Sequence, residues 1–422
     1  MTKFLQWVEK VLMPPMAKLS EQRHLKAIRD GIISTLPLII VGSFFLIFSN
    51  PPIPKLAAKM STELAGKIAI PVRITVGLMS LYASYGIGYS LSKSYKLDGV
   101  SGGILSLTAF IMTTIPLNID GVGWTLPMGN LGGAGMFVAI LMAIFAVEIM
   151  RILQTKNISI KMPEGVPDSV ARSFEALIPA AVVITIIWAV RVMVGFDIQA
   201  FIMNIFKPLV RAGNTLPGIL IPILLITLQW ATGIHVVSIV GSIARPIWLT
   251  LLDENMMAVA DGAKILPNIA PEPFFQWFIW IGGSGATLAL VILFLTSKSK
   301  YLKQLGKTSI LPSICNINEP VIFGAPIVLN PLLGIPFIIG PMITGVVTYF
   351  AMYFNIVARP ATLPPWTLPA PIGAYLATNG DWKAAVLVII NIIIMIAIYY
   401  PFFKAYEKQL LAEEGETKEG LS

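Results

Sequence analysis

The chain has 422 residues, 56% of them hydrophobic and 12% charged, with a mean hydropathy of +0.79. Soluble domains devote about a quarter of their residues to Asp, Glu, Lys and Arg, so this composition excludes an ordinary soluble enzyme and points to lipid as the solvent. The formal charge of +8 does not argue for a nucleic-acid partner, because the basic residues lie in short segments between apolar runs, which is how orientation is set in a membrane protein.

From the N-terminus, residues 1–30 read as an amphipathic arm. Lys3, Lys10, Lys18, Arg23, Lys26 and Arg29 are spread through it, Pro14 and Pro15 interrupt any long helix, and no cleavable signal peptide is visible. His24 reads here as a solvated side chain. Ten apolar runs follow, at 31–50, 72–92, 99–116, 131–150, 177–197, 216–234, 235–252, 274–297, 333–356 and 383–403. Each is of the order of 20 residues, which is what roughly 30 Å of hydrocarbon demands of a helix. With the N-terminus inside, the inner segments carry 19 Lys and Arg and the outer ones eight, which predicts both termini in the cytoplasm. The predicted class is an all-α polytopic membrane protein of about ten transmembrane helices, with re-entrant hairpins and interfacial amphipathic helices.

Three stretches depart from simple spans. IMNIFKPLVRAGN, at 202–214, is short and amphipathic, suited to lie in the interface between two halves of the molecule. Thr308–Pro331 is apolar but broken by Pro312, Pro320, Pro326 and Pro331, and it carries Glu319. Non-helical backbone at membrane depth is tolerated where protein or a wet cavity satisfies it, so this stretch is expected to re-enter the membrane. Arg359–Gly373, with its prolines around Trp366, reads equally well as an outer loop or a second re-entrant segment. The tail at 406–422 is acidic and expected to be disordered.

An ionisable residue inside the membrane is expensive to bury and defaults to a functional role. His235, in LQWATGIHVVSIVGS with Gln229, Trp230 and Thr232 upstream, is one such residue. Glu319, in CNINEP, is the other. Asn316 and Asn318 beside it supply amide donors and acceptors, and the carboxylate accepts from hydroxyls. Trp230 and Trp366 offer apolar faces, so the set suits a sugar, whose ring faces are apolar and whose edges are polar. Glu319, His235, Asn316, Asn318, Trp230, Gln229 and Trp366 are the predicted substrate contacts; Asn214, Asp168 and Ser169 are further candidates. The competing reading of Glu319 is a structural pair with Arg245 or Arg191. Trp124, Trp188, Trp248 and Trp382 read as interface anchors, and the glycines at 86–88 and 282–285 as sites of close helix packing.

Other chemistries lack their residues. Cys315 is the single cysteine, which excludes an internal disulfide, a CxxC pair and a multi-cysteine zinc site. Gly306-Lys307-Thr308 ends like a phosphate loop, but Tyr301 stands where its first glycine is required. No metal spacing and no cofactor motif occurs.

At GIHVVSIVG and Asn318–Pro331, NEPVIFGAPIVLNP, the sequence resembles the EIIC component of the lactose/cellobiose/diacetylchitobiose family of phosphoenolpyruvate-dependent phosphotransferase systems. MPEGVPDSVARSFEALIPA and EPFFQWFIWIGGSGATLAL extend the resemblance over nearly the whole chain. Val236 stands where a glycine is expected after His235. The resemblance implies a homodimer in the bacterial cytoplasmic membrane, with a dimerisation bundle at 31–212 and a sugar-binding transport bundle at 213–405 that moves like an elevator. It implies a β-linked disaccharide as substrate and an EIIB partner, itself charged by EIIA, whose phosphocysteine phosphorylates the sugar's 6-hydroxyl. Glu319 and His235 would lie beside that hydroxyl, and the chain would not phosphorylate sugar by itself. The alternative from the residues is an ion-coupled sugar transporter in which Glu319 and His235 relay protons.

Overall fold

The computed structural model describes residues 22–51, 59–160, 162–163, 166–167, 172, 174–231, 239–325, 327 and 330–419. His235, Asp168, Ser169 and most of the expected N-terminal arm, with its prolines, lie outside the described residues.

The first helix, α1 (Arg23–Ile33), starts inside the expected arm, where the Gln22 side chain accepts from Leu25 N at 2.7 Å and caps it. Its buried stripe of Ala27, Ile28 and Ile32 explains why it is helical before the apolar run begins. A turn at Ser34–Thr35 leads into α2 (Leu36–Ser49). His24 is not a free surface group: its Nε2 lies 2.9 Å from Glu148 Oε1. Then come α3 (Thr62–Ile68), α4 (Ile70–Thr75), α5 (Met79–Ser94) and α6 (Gly99–Met112). A small antiparallel hairpin pairs β1 (Leu117–Ile119) with β2 (Gly123–Thr125), Asn118 opposite Trp124.

After α7 (Met136–Thr155) the chain passes to α8 (Leu177–Trp188), which ends in a π turn, and then to α9 (Ile198–Gly213). The axis bends by 88° between Leu177–Met193 and Ile198–Gly213. Asp197 makes the corner, accepting from Ala200 N at 2.9 Å and from Arg191 at 3.3 Å. Among the described residues, five helical stretches are long and apolar enough to cross a membrane, and the bent pair makes six if counted as one span. By length and composition the chain is thus an all-α membrane protein that crosses the bilayer repeatedly. The expected spans at 99–116 and 216–234 are represented by the shorter apolar helices α6 and α10 (Leu216–Ala231).

The second half is more broken. α11 (Ile239–Ala260) is followed by an extended segment that runs back along it to α12 (Glu272–Phe274), whose π turn covers Phe275–Ile279. Residues 261–265 of that segment are exposed, whereas Ile269 and Ala270 at its end are buried. The run expected as a span at 274–297 is interrupted by a turn over Gly282–Gly285 before α13 (Leu288–Leu295). α14 (Lys300–Ile314), a turn at Cys315–Ile317, and α15 (Glu319–Gly324) form the broken stretch around Glu319. Pro312 is accommodated inside α14, and Pro320 sits in the first turn of α15, where its missing N–H costs nothing.

α16 (Pro331–Tyr353) leads to non-helical backbone before α17 (Ala370–Ala377) and α18 (Trp382–Glu419). Val357, Ala361, Thr362 and Leu363 are buried. Ala361 N donates to Ala377 O, and Leu363 N donates to Ser43 Oγ at 2.9 Å. Protein thus meets these two backbone groups, while Trp366 and Thr367 further along remain exposed. The tail expected to be disordered from 406 continues α18 as far as Glu419. Good helix formers carry it, and Glu407 anchors it by accepting from Ser297 Oγ and Lys298 N.

Buried apolar side chains gather in distinct bodies. One draws only on residues between Ile219 and Tyr406. Those built on the earlier helices borrow Leu249, Leu252, Met256 and Leu363 in one case, and Ile247 and Leu251 in another. α11 serves both sides: Val240, Ala244 and Trp248, four residues apart, face the C-terminal core, and the remaining stripe faces the N-terminal ones.

Candidate functional site

The C-terminal core encloses a cavity of about 220 Å³. α10 supplies Ile226 and Trp230; α11 supplies Gly241, Arg245 and Trp248; α12 and its π turn supply Glu272, Phe275 and Gln276. Trp280, Gly283 and Ser284 come from the glycine turn, Asn316, Asn318 and Glu319 from the break between α14 and α15, and Trp366 from the non-helical segment. Five of the predicted contacts therefore converge from three parts of the sequence. Gln229 is buried but is not on the cavity wall.

Each predicted residue on the wall does a different job. Glu319 is exposed, and among the described residues it has neither a hydrogen-bond nor an ion-pair partner. The structural pair considered for it is absent: Arg245 pairs with Glu272 at 2.8 Å, and Arg191 with Asp197 and the Thr113 carbonyl. Asn316 reaches the wall with its amide committed to backbone, donating to Trp366 O and Leu368 O at 2.8 and 2.9 Å and accepting from Gly282 N at 3.0 Å. One side chain thereby ties the glycine turn and the Trp366 segment to the Glu319 break. Asn318 donates to Ser284 O at 2.8 Å. Gly283 makes that approach possible: at φ +98°, a Cβ there would sit 2.4 Å from Asn318 Cγ.

The aromatic wall combines Trp230, 4% exposed, with Trp366, 52% exposed. Trp248 is not an interface anchor. It is buried and stacks on Phe275 with ring centroids 4.2 Å apart. Trp124, Trp188 and Trp382 are exposed, as expected of anchors. Apolar ring faces beside a few fixed polar groups form the usual pattern of a small-molecule pocket. A larger hollow of about 990 Å³ elsewhere is lined by Arg73, Asp261, Lys264, Arg359 and Asp381 among others and contains none of the predicted contacts.

Sequence reasoning missed Arg245 and Glu272 as wall residues, and it read the glycines of the 282–285 turn as helix packing. Glu272 carries the same signal as Glu319: an acid placed before a proline in apolar sequence, APEPFF beside NINEPV. Among the described residues no group of three or more His, Cys, Asp or Glu side chains is placed to hold a metal ion.

With this geometry in hand, comparisons with known proteins agree on one family. The phosphotransferase system EIIC family model matches residues 29–341. The lichenan permease IIC component of Bacillus subtilis is 44% identical over 436 residues, covering 99% of this chain and 96% of that protein. The cellobiose-specific EIIC component of Geobacillus stearothermophilus is 44% identical over 437 residues, covering 98% and 96%. Among solved structures, the transporter ChbC, the IIC component of the N,N'-diacetylchitobiose-specific phosphotransferase system, superposes with a TM-score of 0.91 at 41% identity, over 97% of this chain and 99% of that one. The chain belongs to the phosphotransferase system EIIC family.

Proposed function

We propose that this chain is the sugar permease of its phosphotransferase system and takes a β-linked disaccharide of the cellobiose or diacetylchitobiose type. The observation that carries this reading is the cavity, where Glu319 stands without a partner among the described residues, beside exposed tryptophan surface. A carboxylate accepts from hydroxyls and an indole face covers ring C–H groups. Near-complete alignment with a cellobiose-specific and a diacetylchitobiose-specific component supports the substrate class.

In this reading Glu319 accepts a hydrogen bond from the sugar's 6-hydroxyl, with His235, outside the described residues, beside it. A separate EIIB protein brings a phosphoryl group on a cysteine. The S–P bond breaks, a bond to the 6-oxygen forms, and the hydroxyl proton passes to Glu319. Phosphorylation then traps the sugar inside, so uptake needs no ion gradient. Transport is an elevator-like movement of the 213–405 bundle against a dimeric 31–212 bundle, in a bacterial cytoplasmic membrane crossed about ten times with both termini inside. The separation of the C-terminal apolar core from the N-terminal ones supports two bodies that can move.

The test is calorimetric titration of cellobiose, N,N'-diacetylchitobiose and lactose into the purified protein, without EIIB. Saturable binding of one sugar, lost in Glu319→Ala, is expected. Absence of binding to all three removes the substrate class. Counterflow in proteoliposomes that depends on a proton gradient replaces this reading with an ion-coupled transporter.

A further inference from the structure

Arg245 and Glu272 meet on the cavity wall in an unusual way for a buried pair. Their shortest contact, Nη2 to Oε1, is 2.8 Å. Both groups are planar forks able to make two parallel bonds. Here, among the described residues, Arg245 Nε and Glu272 Oε2 are left buried with no hydrogen-bond partner. The pair is well enclosed, with the Arg245 side chain 20% and the Glu272 side chain 11% exposed. A buried ion pair recovers its desolvation cost only when its remaining donors and acceptors are also met.

Two other carboxylates, Glu148 and Glu407, use both oxygens, whereas Asp253, away from this cavity, accepts from Gly133 N on Oδ2 and, among the described residues, leaves Oδ1 unmet. Glu148 accepts from Tyr95 Oη and His24 on one oxygen and from Arg151 on the other. Glu407 accepts from Ser297 and Lys298 on one oxygen and from Lys404 on the other. In both, each oxygen is used. Glu272 keeps one oxygen unused, and it does so on the wall of the cavity that also holds Glu319. Its position is fixed from both sides by Pro271 and Pro273, which limit the backbone's freedom to bring another partner.

We propose that Arg245 and Glu272 are a sugar-recognition pair: when the disaccharide enters, the pair turns, and its unspent guanidinium N–H and carboxylate oxygen take sugar hydroxyls. A sugar hydroxyl donates and accepts at once, which matches one free donor next to one free acceptor. The pair is a specificity determinant separate from Glu319. It favours neutral sugars, because Arg245 and Glu272 cancel and Glu319 is then the one uncompensated charge among the described wall residues. The proposal rests on the sugar-permease reading above.

The test titrates cellobiose and N,N'-diacetylchitobiose into the parent protein, Arg245→Lys, Glu272→Gln and the charge swap Arg245→Glu/Glu272→Arg, with thermal unfolding measured on each. Both single variants are expected to lose about tenfold or more in affinity, the size of one hydrogen bond to a charged group. The swap is expected to recover the unfolding temperature, since an ion pair is restored, but not the affinity, since donor and acceptor have exchanged places. A swap that restores both makes the pair structural only and overturns the proposal. Full affinity in Arg245→Lys, which keeps the charge and loses the fork, overturns it equally. Failure of the parent to bind either sugar is a different result: it strikes the permease reading, and the pair's role falls with it.

Discussion

Two clusters of polar side chains lie within the C-terminal half, and they use their hydrogen bonds in opposite ways. The first is the asparagine node behind the extended segment. Asn255 donates to Asn268 O and Pro360 O and accepts from Asn268 N. Asn268 donates to Leu251 O and Glu254, and Asn214 accepts from Ile269 N and Ala270 N. Both the nitrogen and the oxygen of the Asn255 amide, and the Asn214 oxygen, serve backbone that left the helix. The second cluster is the cavity wall, where, among the described residues, Glu319 has no partner and Glu272 keeps an oxygen unused. Away from water, irregular chain must be satisfied internally, so polar residue type alone does not mark a site. What marks it is unused carboxylate capacity on a cavity wall beside tryptophan surface.

The largest expected effect tests the first cluster. Asn255→Ala strands three buried backbone groups, Asn268 N, Asn268 O and Pro360 O. At about 1–3 kcal/mol for each unsatisfied group, it should destabilise the protein by about 3 kcal/mol or more in thermal or denaturant unfolding. Sugar affinity of the fraction that remains folded should stay near the parent's. A variant that is stable but fails to bind would erase the distinction between the clusters.

Glu319→Gln tests the second. The amide keeps the size and replaces a charged acceptor with a neutral one. Affinity should fall by about 10- to 100-fold, corresponding to about 1.5–3 kcal/mol for hydrogen bonds to a charged group. The unfolding temperature should not fall, because Glu319 has no hydrogen bond or ion pair to lose among the described residues. A marked loss of stability would mean that the carboxylate has a structural partner after all.

Gly283→Ala sits between the clusters, since it acts on the wall through the backbone. The substitution forces a non-glycine residue to φ +98° and drives a methyl group into Asn318. A strain of about 1–3 kcal/mol is expected, along with loss of the Asn318 bond to Ser284 O. Affinity and stability should therefore drop together, unlike in either preceding variant.

These contrasts also show what the sequence could reveal. Apolar runs of span length and the acid at NINEP were legible because charge in lipid is costly wherever it lies. Trp230, Asn316, Asn318 and Trp366, which share one cavity with Glu319, were legible by residue type, as amide groups and apolar ring faces near that acid. Asn214 shows the limit: as a type it looked like a pocket residue, yet it holds down Ile269 and Ala270. The run at 274–297 reads as one span because hydropathy is blind to the positive φ angles of Gly282, Gly283 and Gly285. Sequence reasoning reaches Arg245 only as a partner of Glu319 and passes over Glu272, because their pairing is long-range, a fact carried by the fold and not by local spacing.

The smallest expected effect belongs to His24, far from both clusters in sequence. Its Nε2 lies 2.9 Å from Glu148, and both side chains are only partly covered, 29% and 20% exposed. Partly solvated pairs of this kind contribute roughly 0–1 kcal/mol. In His24→Gln, Tyr95 and Arg151 still bond both Glu148 oxygens, so no buried acceptor is stranded. Stability should change by less than about 1 kcal/mol, and sugar affinity and uptake should match the parent's. A transport defect with normal binding would place this contact in the movement of the bundles, and spent polar groups would then no longer be a sign of a purely structural role.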